Sequence, residues 1–175
     1  MTEEFSTVDL LLGSGAETRA VDAFALALIK AERQARKLVT HLVYQFPTFG
    51  PAAVTALRNT LAGNRNVYFV GFLAGFDALY PQPIHALVGN QHNRLRARLD
   101  EAIDHRNKIF HGQLTTRSLN RQDLTELASD IKSWCTLLAE GSNNELGYDG
   151  FGRNSFQKSD TEPLRATEEA VWYGS

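Results

Sequence analysis

Between Leu95 and Phe110 apolar residues recur every three or four positions, a spacing that suits a helix and defeats a strand. With Leu95 as origin and about 100° per residue, Leu99, Ala102, Ile103, Ile109 and Phe110 gather within about 80° of one direction. Arg106 falls at about 20°, in the middle of that stripe. A guanidinium on a face built for packing needs a partner, because a buried charge left unpaired is very costly. That partner is a carboxylate inside the fold, a second protomer or a phosphate.

The rest of the chain reads as helices joined by short loops. Residues 1–17 are expected to form a loose or docking arm, with a break at Gly13-Ser14-Gly15. From Thr18 to Gln45, Val21, Phe24, Ala25, Leu28, Ala31, Ala35, Leu38 and Leu42 keep helical spacing up to the stop at Pro47. Pro51 suits the start of a short second helix running to Leu61. Val67 to Tyr80 is strongly apolar without period two, and Gly71, Ala74 and Gly75 favour close helix packing. A long helix from Ile84 or Gln91 reaches His111 and ends at Gly112, a residue suited to a left-handed cap. A last helix, capped by Leu119 or Asn120, is expected to run through Leu138 and stop before Gly141.

The pattern predicts an all-α bundle of about five helices over residues 18–141, followed by an irregular tail over 142–175. That tail carries Tyr148, Phe151, Phe156, Trp172 and Tyr173, so it is either a disordered extension or an arm that docks through its aromatics. The segment Gly147 to Gly152 has the look of a phosphate-binding loop. It lacks the strand before and the helix after that such a loop requires.

An apolar fraction of 43% and a net charge of −2 describe a globular chain that attracts polyanions only through a local patch. The acidic start lacks a signal-peptide core, and no apolar run is long enough to span a membrane. One cysteine, Cys135, forbids a disulfide within the chain and fits a reducing cytoplasm. His41, His85 and His92 form no metal-ligand spacing with carboxylates or Cys135, so neither metal nor cofactor is expected.

The segment Arg106-Asn107-Lys108-Ile109-Phe110-His111, followed by Gly112, closes the long helix in a small all-α pattern. It resembles the R-x4-6-H motif of the HEPN superfamily. The resemblance implies a metal-independent endoribonuclease with a composite site where two copies of the motif face each other across a homodimer. It also implies cleavage by the neighbouring 2′-OH, leaving a 2′,3′-cyclic phosphate and a 5′-OH. Histidine suits proton transfer near neutral pH, and arginine suits charge gathering on a phosphorane. His111 is then the proton-transfer residue, Arg106 the phosphate clamp, and Asn107, four residues before the imidazole, its orienting group. Arg106 and His111 stand about 140° apart on an ideal helix, which favours two facing copies over one.

Across residues 94–121, Arg94, Arg96, Arg98, Arg106, Lys108, Arg117 and Arg121 outnumber Asp100, Glu101 and Asp104. Arg94, Arg98, Lys108 and Arg117 are the weaker candidates for binding an RNA backbone. The bland reading of this strip is a solvated face with pairs such as Arg96–Asp100. His105, at about 280°, is assigned to another face and a secondary place. HEPN toxins restrained by nucleotidyltransferases commonly carry a tyrosine two residues after the histidine. Gln113 stands there, so direct binding by an antitoxin or sensor protein is the expected form of control. The resulting expectation is a toxin or anti-phage effector that cuts RNA. The rival is a non-catalytic HEPN-type interaction module within a defence or stress complex.

Overall fold

The computed structural model describes residues 3–63, 68–110, 120–152 and 154–159. Among these, every regular element is helical: α1 (Ser6–Gly13), α2 (Arg19–Gln45), α3 (Val54–Gly63), α4 (Phe69–Leu79), α5 (Ile84–Val88), α6 (His92–Phe110) and α7 (Arg121–Leu146). The all-α expectation holds, and the described helices outnumber the five expected. Their contacts divide the chain into two compact units, 1–31 with 88–137 and 32–87 with 138–175. No described helix is long and apolar enough to cross a membrane.

In the first unit, α1 occupies most of the stretch expected to be a loose arm. Eight residues make a marginal helix alone. Here it is anchored by burial of Phe5 and Val8 and by the Lys132 ammonium, which reaches the Asp9 carboxylate at 2.7 Å. The neighbouring segment of α2 buries Ala20, Ala23, Phe24, Ala27, Leu28 and Ala31, a face made largely of small side chains. Val21, expected among the apolar positions of that helix, is exposed instead. With Ala20 as origin it falls at about 100°, just past Leu28 at about 80°, so it sits at the margin of the buried arc.

Helix α6 starts at His92, next to the later of the two expected starts, Gln91, and not at Ile84. Gly89 takes a positive φ of 75° in a short 3-10 turn, which separates α5 from it. Asn120 caps α7: its Oδ1 accepts from the Asp123 amide at 2.9 Å, and Asp123 Oδ2 accepts from the Asn120 amide at 3.3 Å.

In the second unit, α4 buries Phe69, Phe72, Leu73 and Phe76 at helical spacing. Asp77 Oδ1 then accepts from the Ile84 amide at 2.7 Å, holding the Pro81-Gln82-Pro83 turn against α4. Pro51 opens a 3-10 turn, Pro51–Ala53, ahead of α3. The tail expected from 142 begins inside α7, which runs through Gly141 and stops at Gly147, whose φ is 62°. Its amide bonds the Asn143 carbonyl at 3.0 Å, a left-handed helix end.

Beyond α7 the docking alternative describes the chain as far as residue 159. Tyr148 and Phe151 are buried, and Phe156 meets Tyr44 edge-on at 5.6 Å. Lys158 Nζ donates to the carbonyls of Tyr44, Gln45 and Phe46 at 2.6, 3.2 and 2.9 Å, capping the C-terminus of α2. Asp149 Oδ1 takes the amides of Phe151 and Gly152, so the carboxylate itself fills the Gly147–Gly152 loop. Trp172 and Tyr173 lie outside the described residues.

Gly141 marks a close approach and not a stop. A Cβ there would run into the Leu87 carbonyl and lie 2.9 Å from Leu87 Cα. Helix propensity favours Gly141→Ala by about 1 kcal/mol, but the backbone collision outweighs it. The variant is expected to lose about 1–3 kcal/mol in urea unfolding. An unchanged or raised midpoint would contradict the packing role.

Candidate functional site at the end of helix α6

Among the described side chains of α6, the buried ones are Leu95, Leu99, Ala102 and His105. The apolar stripe therefore extends further toward His105 than the apolar spacing indicated, and Ile103 is only half-buried. This corrects the secondary place assigned to His105, whose residue surface is 8% exposed. Sequence spacing carried a partial signal for it: His105 follows Ala102 by three residues and Glu101 by four, and so adjoins the apolar stripe.

Arg106 is half-buried, and Asn107 is exposed. The guanidinium donates from Nε and from one terminal nitrogen to Asn107 Oδ1, at 3.3 and 3.2 Å. Asn107 was expected to orient the imidazole four residues on. In the structure its carbonyl oxygen steadies the guanidinium of the preceding residue. Asn107 Oδ1 thus receives two of the donors of an always-charged fork, on the last turns of the helix. His111 and Arg117 lie outside the described residues, and with them the Asn107–His111 contact expected from spacing.

The basic strip is extensively paired. Arg94 donates to Asp130 Oδ1 at 2.7 Å, and Arg98 Nε donates to Asp130 Oδ2 at 2.9 Å. A second nitrogen of Arg98 donates to Glu101 Oε2, and Lys108 pairs with Asp104 one turn back. Arg96 reaches both oxygens of Asp100 at 3.1 Å, the pair expected from spacing. Glu101 Oε1 also lies 3.5 Å from His105 Nε2. His105 Nδ1 is buried and has no hydrogen-bond partner among the described residues. Three of the four weaker RNA-binding candidates, Arg94, Arg98 and Lys108, thus each face an acid of their own chain.

Asp130 is the electrostatic centre of this group. Burial pushes its carboxyl upward, but hydrogen bonds from Arg94 and Arg98, with their charges, outweigh that and hold it below its ordinary value. On Arg98 the hydrogen bond to Asp130 is the largest influence. It holds the guanidinium above its usual value against the opposing cost of burial. Cys135 is buried, and burial raises its thiol far from the thiolate form, so it is no nucleophile. Among the described residues no three His, Cys, Asp or Glu side chains are grouped to hold a metal ion.

Searches against known proteins found no matching family model, curated protein or solved structure.

The depressed Asp130 carboxyl has a consequence for stability. Its folded value lies below its unfolded value, so its contribution is complete above about pH 4 and fades as pH falls through the folded value. Thermal unfolding of the wild type is expected to weaken below about pH 4, with Asp130→Asn less stable at neutrality and flatter in that range. Identical acid profiles for the two proteins would contradict the pairing.

Proposed function

We propose that this chain is a metal-independent endoribonuclease of HEPN type, acting as a homodimer in the cytoplasm as a toxin or anti-phage effector. The observation that carries this reading is the Arg106–Asn107 pair on the final turns of α6: a half-buried cation held by a neutral amide and followed, five residues on, by a histidine.

In the proposed reaction a ribose 2′-oxygen attacks its adjacent phosphorus while the imidazole of His111 takes the hydroxyl proton. The bond from phosphorus to the 5′-oxygen breaks, and that oxygen takes a proton from the imidazolium formed on His111. The products are a 2′,3′-cyclic phosphate and a 5′-OH. In this reading Arg106 supplies a fork of donors to the oxygens that gain charge in the phosphorane. Two facing motifs overcome the wide angle between Arg106 and His111 on one helix. Restraint by a directly bound antitoxin or sensor protein belongs to the same reading.

The pairing of Arg94, Arg98 and Lys108 with acids favours a second reading, a HEPN-type interaction module without catalysis. The two are separated by incubating the purified protein with a structured RNA in EDTA. Cleavage is expected, with losses of about 10²-fold or more in His111→Ala and Arg106→Ala that melt like the wild type. Equal cleavage by wild type and both variants would overturn the site, and no cleavage at all would favour the module.

A further inference from the structure

Arg94, Arg98, Glu101 and His105 recur at intervals of four, three and four residues, so they form one polar stripe along α6, at about 240–300° from the Leu95 origin. The stripe is closed from α7 by a single side chain, Asp130, which receives both arginines. Arg98 continues the chain to Glu101, and Glu101 continues it to the buried His105, one residue before Arg106. Asp130 keeps only 19% of its side chain exposed and Arg98 28%, whereas Arg94 keeps 56%. The Arg98–Asp130 contact is thus the shielded, well-fixed member, and Arg94 covers it from outside.

We propose that Arg98 and Asp130 are positioning residues: their ion pair fixes the rotation of α6 against α7, and so the direction in which Arg106 and Asn107 are presented, and Arg98 does not contact RNA. The inference rests on the nuclease reading for what is positioned. A helix turned by about 20° moves the end of a side chain, about 5–6 Å from the axis, by about 2 Å. A misplacement of about 1 Å at a reacting group costs about 10²-fold in rate. Next to the motif the apolar contacts of α6 come from Ala102 and the half-buried Ile103, so the ion pair adds an angular restraint there to the packing of Leu95 and Leu99 about one to three turns back. Arg98 Nε meets Asp130 Oδ2 while another of its nitrogens meets Glu101 Oε2, so the planar guanidinium has a defined orientation between the two acids.

The experiment measures cleavage kinetics and the salt dependence of RNA binding for Asp130→Asn, Arg98→Ala, Arg98→Lys and the double variant Arg98→Ala/Asp130→Asn. Binding is measured in a His111→Ala background. Each single variant is expected to lose about 10–100-fold in kcat with KM and the salt slope unchanged. The double variant should fall no lower than the worse single one, because both act through one contact. Arg98→Lys is the decisive variant should Asp130→Asn fold poorly. It keeps a charge for phosphate but loses the fixed set of donors that reaches Asp130 and Glu101 together, so it should lose rate like Arg98→Ala.

A salt slope lowered by about one in Arg98→Ala, tighter RNA binding by Asp130→Asn, or full activity in Arg98→Lys would overturn the inference. The same cycle in thermal unfolding needs no RNA. Tm losses that simply add would also overturn it. A wild type that cuts no RNA while the unfolding cycle shows coupling would sink the nuclease reading and leave the α6–α7 anchor standing.

Discussion

The Asp130 carboxylate, shared by Arg94 and Arg98, is the contact through which helix α7 meets the charged side of helix α6. Isolated exposed ion pairs contribute little to stability, but this one is partly shielded, receives two guanidinium groups and leads inward to a buried imidazole. Its worth lies in geometry more than in free energy. Four of the polar side chains on α6 are committed to one acid, directly or in sequence, and the helix then has one angular setting. Arg106 and Asn107 inherit that setting because they continue the same helix.

The fold was largely legible because helical spacing is a robust signal over long segments. Helix α2 and the apolar core of α4 were visible from their spacing and from Pro47 and Pro81 alone. What escaped was decided by tertiary contact. Gly141 looks like a terminator in one dimension, yet it sits inside α7 because the Leu87 backbone needs the room a Cβ would take. Gly147, six residues later, is the true end, with its positive φ. Helix α1 is too short to declare itself, and it depends on Lys132, more than a hundred residues away, for its anchor.

The candidate site was legible in part. Arg106 was conspicuous as a charge among apolar neighbours, but its bond to the adjoining amide was not, because helical spacing directs Asn107 toward position 111. The pairing of Arg94 and Arg98 was invisible, since Asp130 lies over thirty residues downstream and spacing on α6 alone leaves both arginines unclaimed. His105 was misjudged for a related reason. An ideal wheel weights every apolar residue equally, whereas Ile103 stays half-buried and the imidazole takes the sheltered place. The tail shows the same dependence: Tyr148 and Phe151 have no periodicity, and their places depend on α2, where Gln34 and Lys37 donate to the Asp149 and Phe151 carbonyls and His41 meets the Tyr148 ring.

Five residues apart on an ideal helix, a guanidinium and an imidazole start about 140° apart, so the proposed nuclease rests on two copies sharing the work. Mixing the inactive Arg106→Ala and His111→Ala proteins tests this most directly. In a mixed dimer one site loses both groups and the other keeps Arg106 of one protomer and His111 of its partner. The account predicts that cleavage returns on mixing, toward half the wild-type rate per mixed dimer. Mixed dimers that form, as seen by differently tagged protomers copurifying, yet remain as inactive as either parent would contradict it.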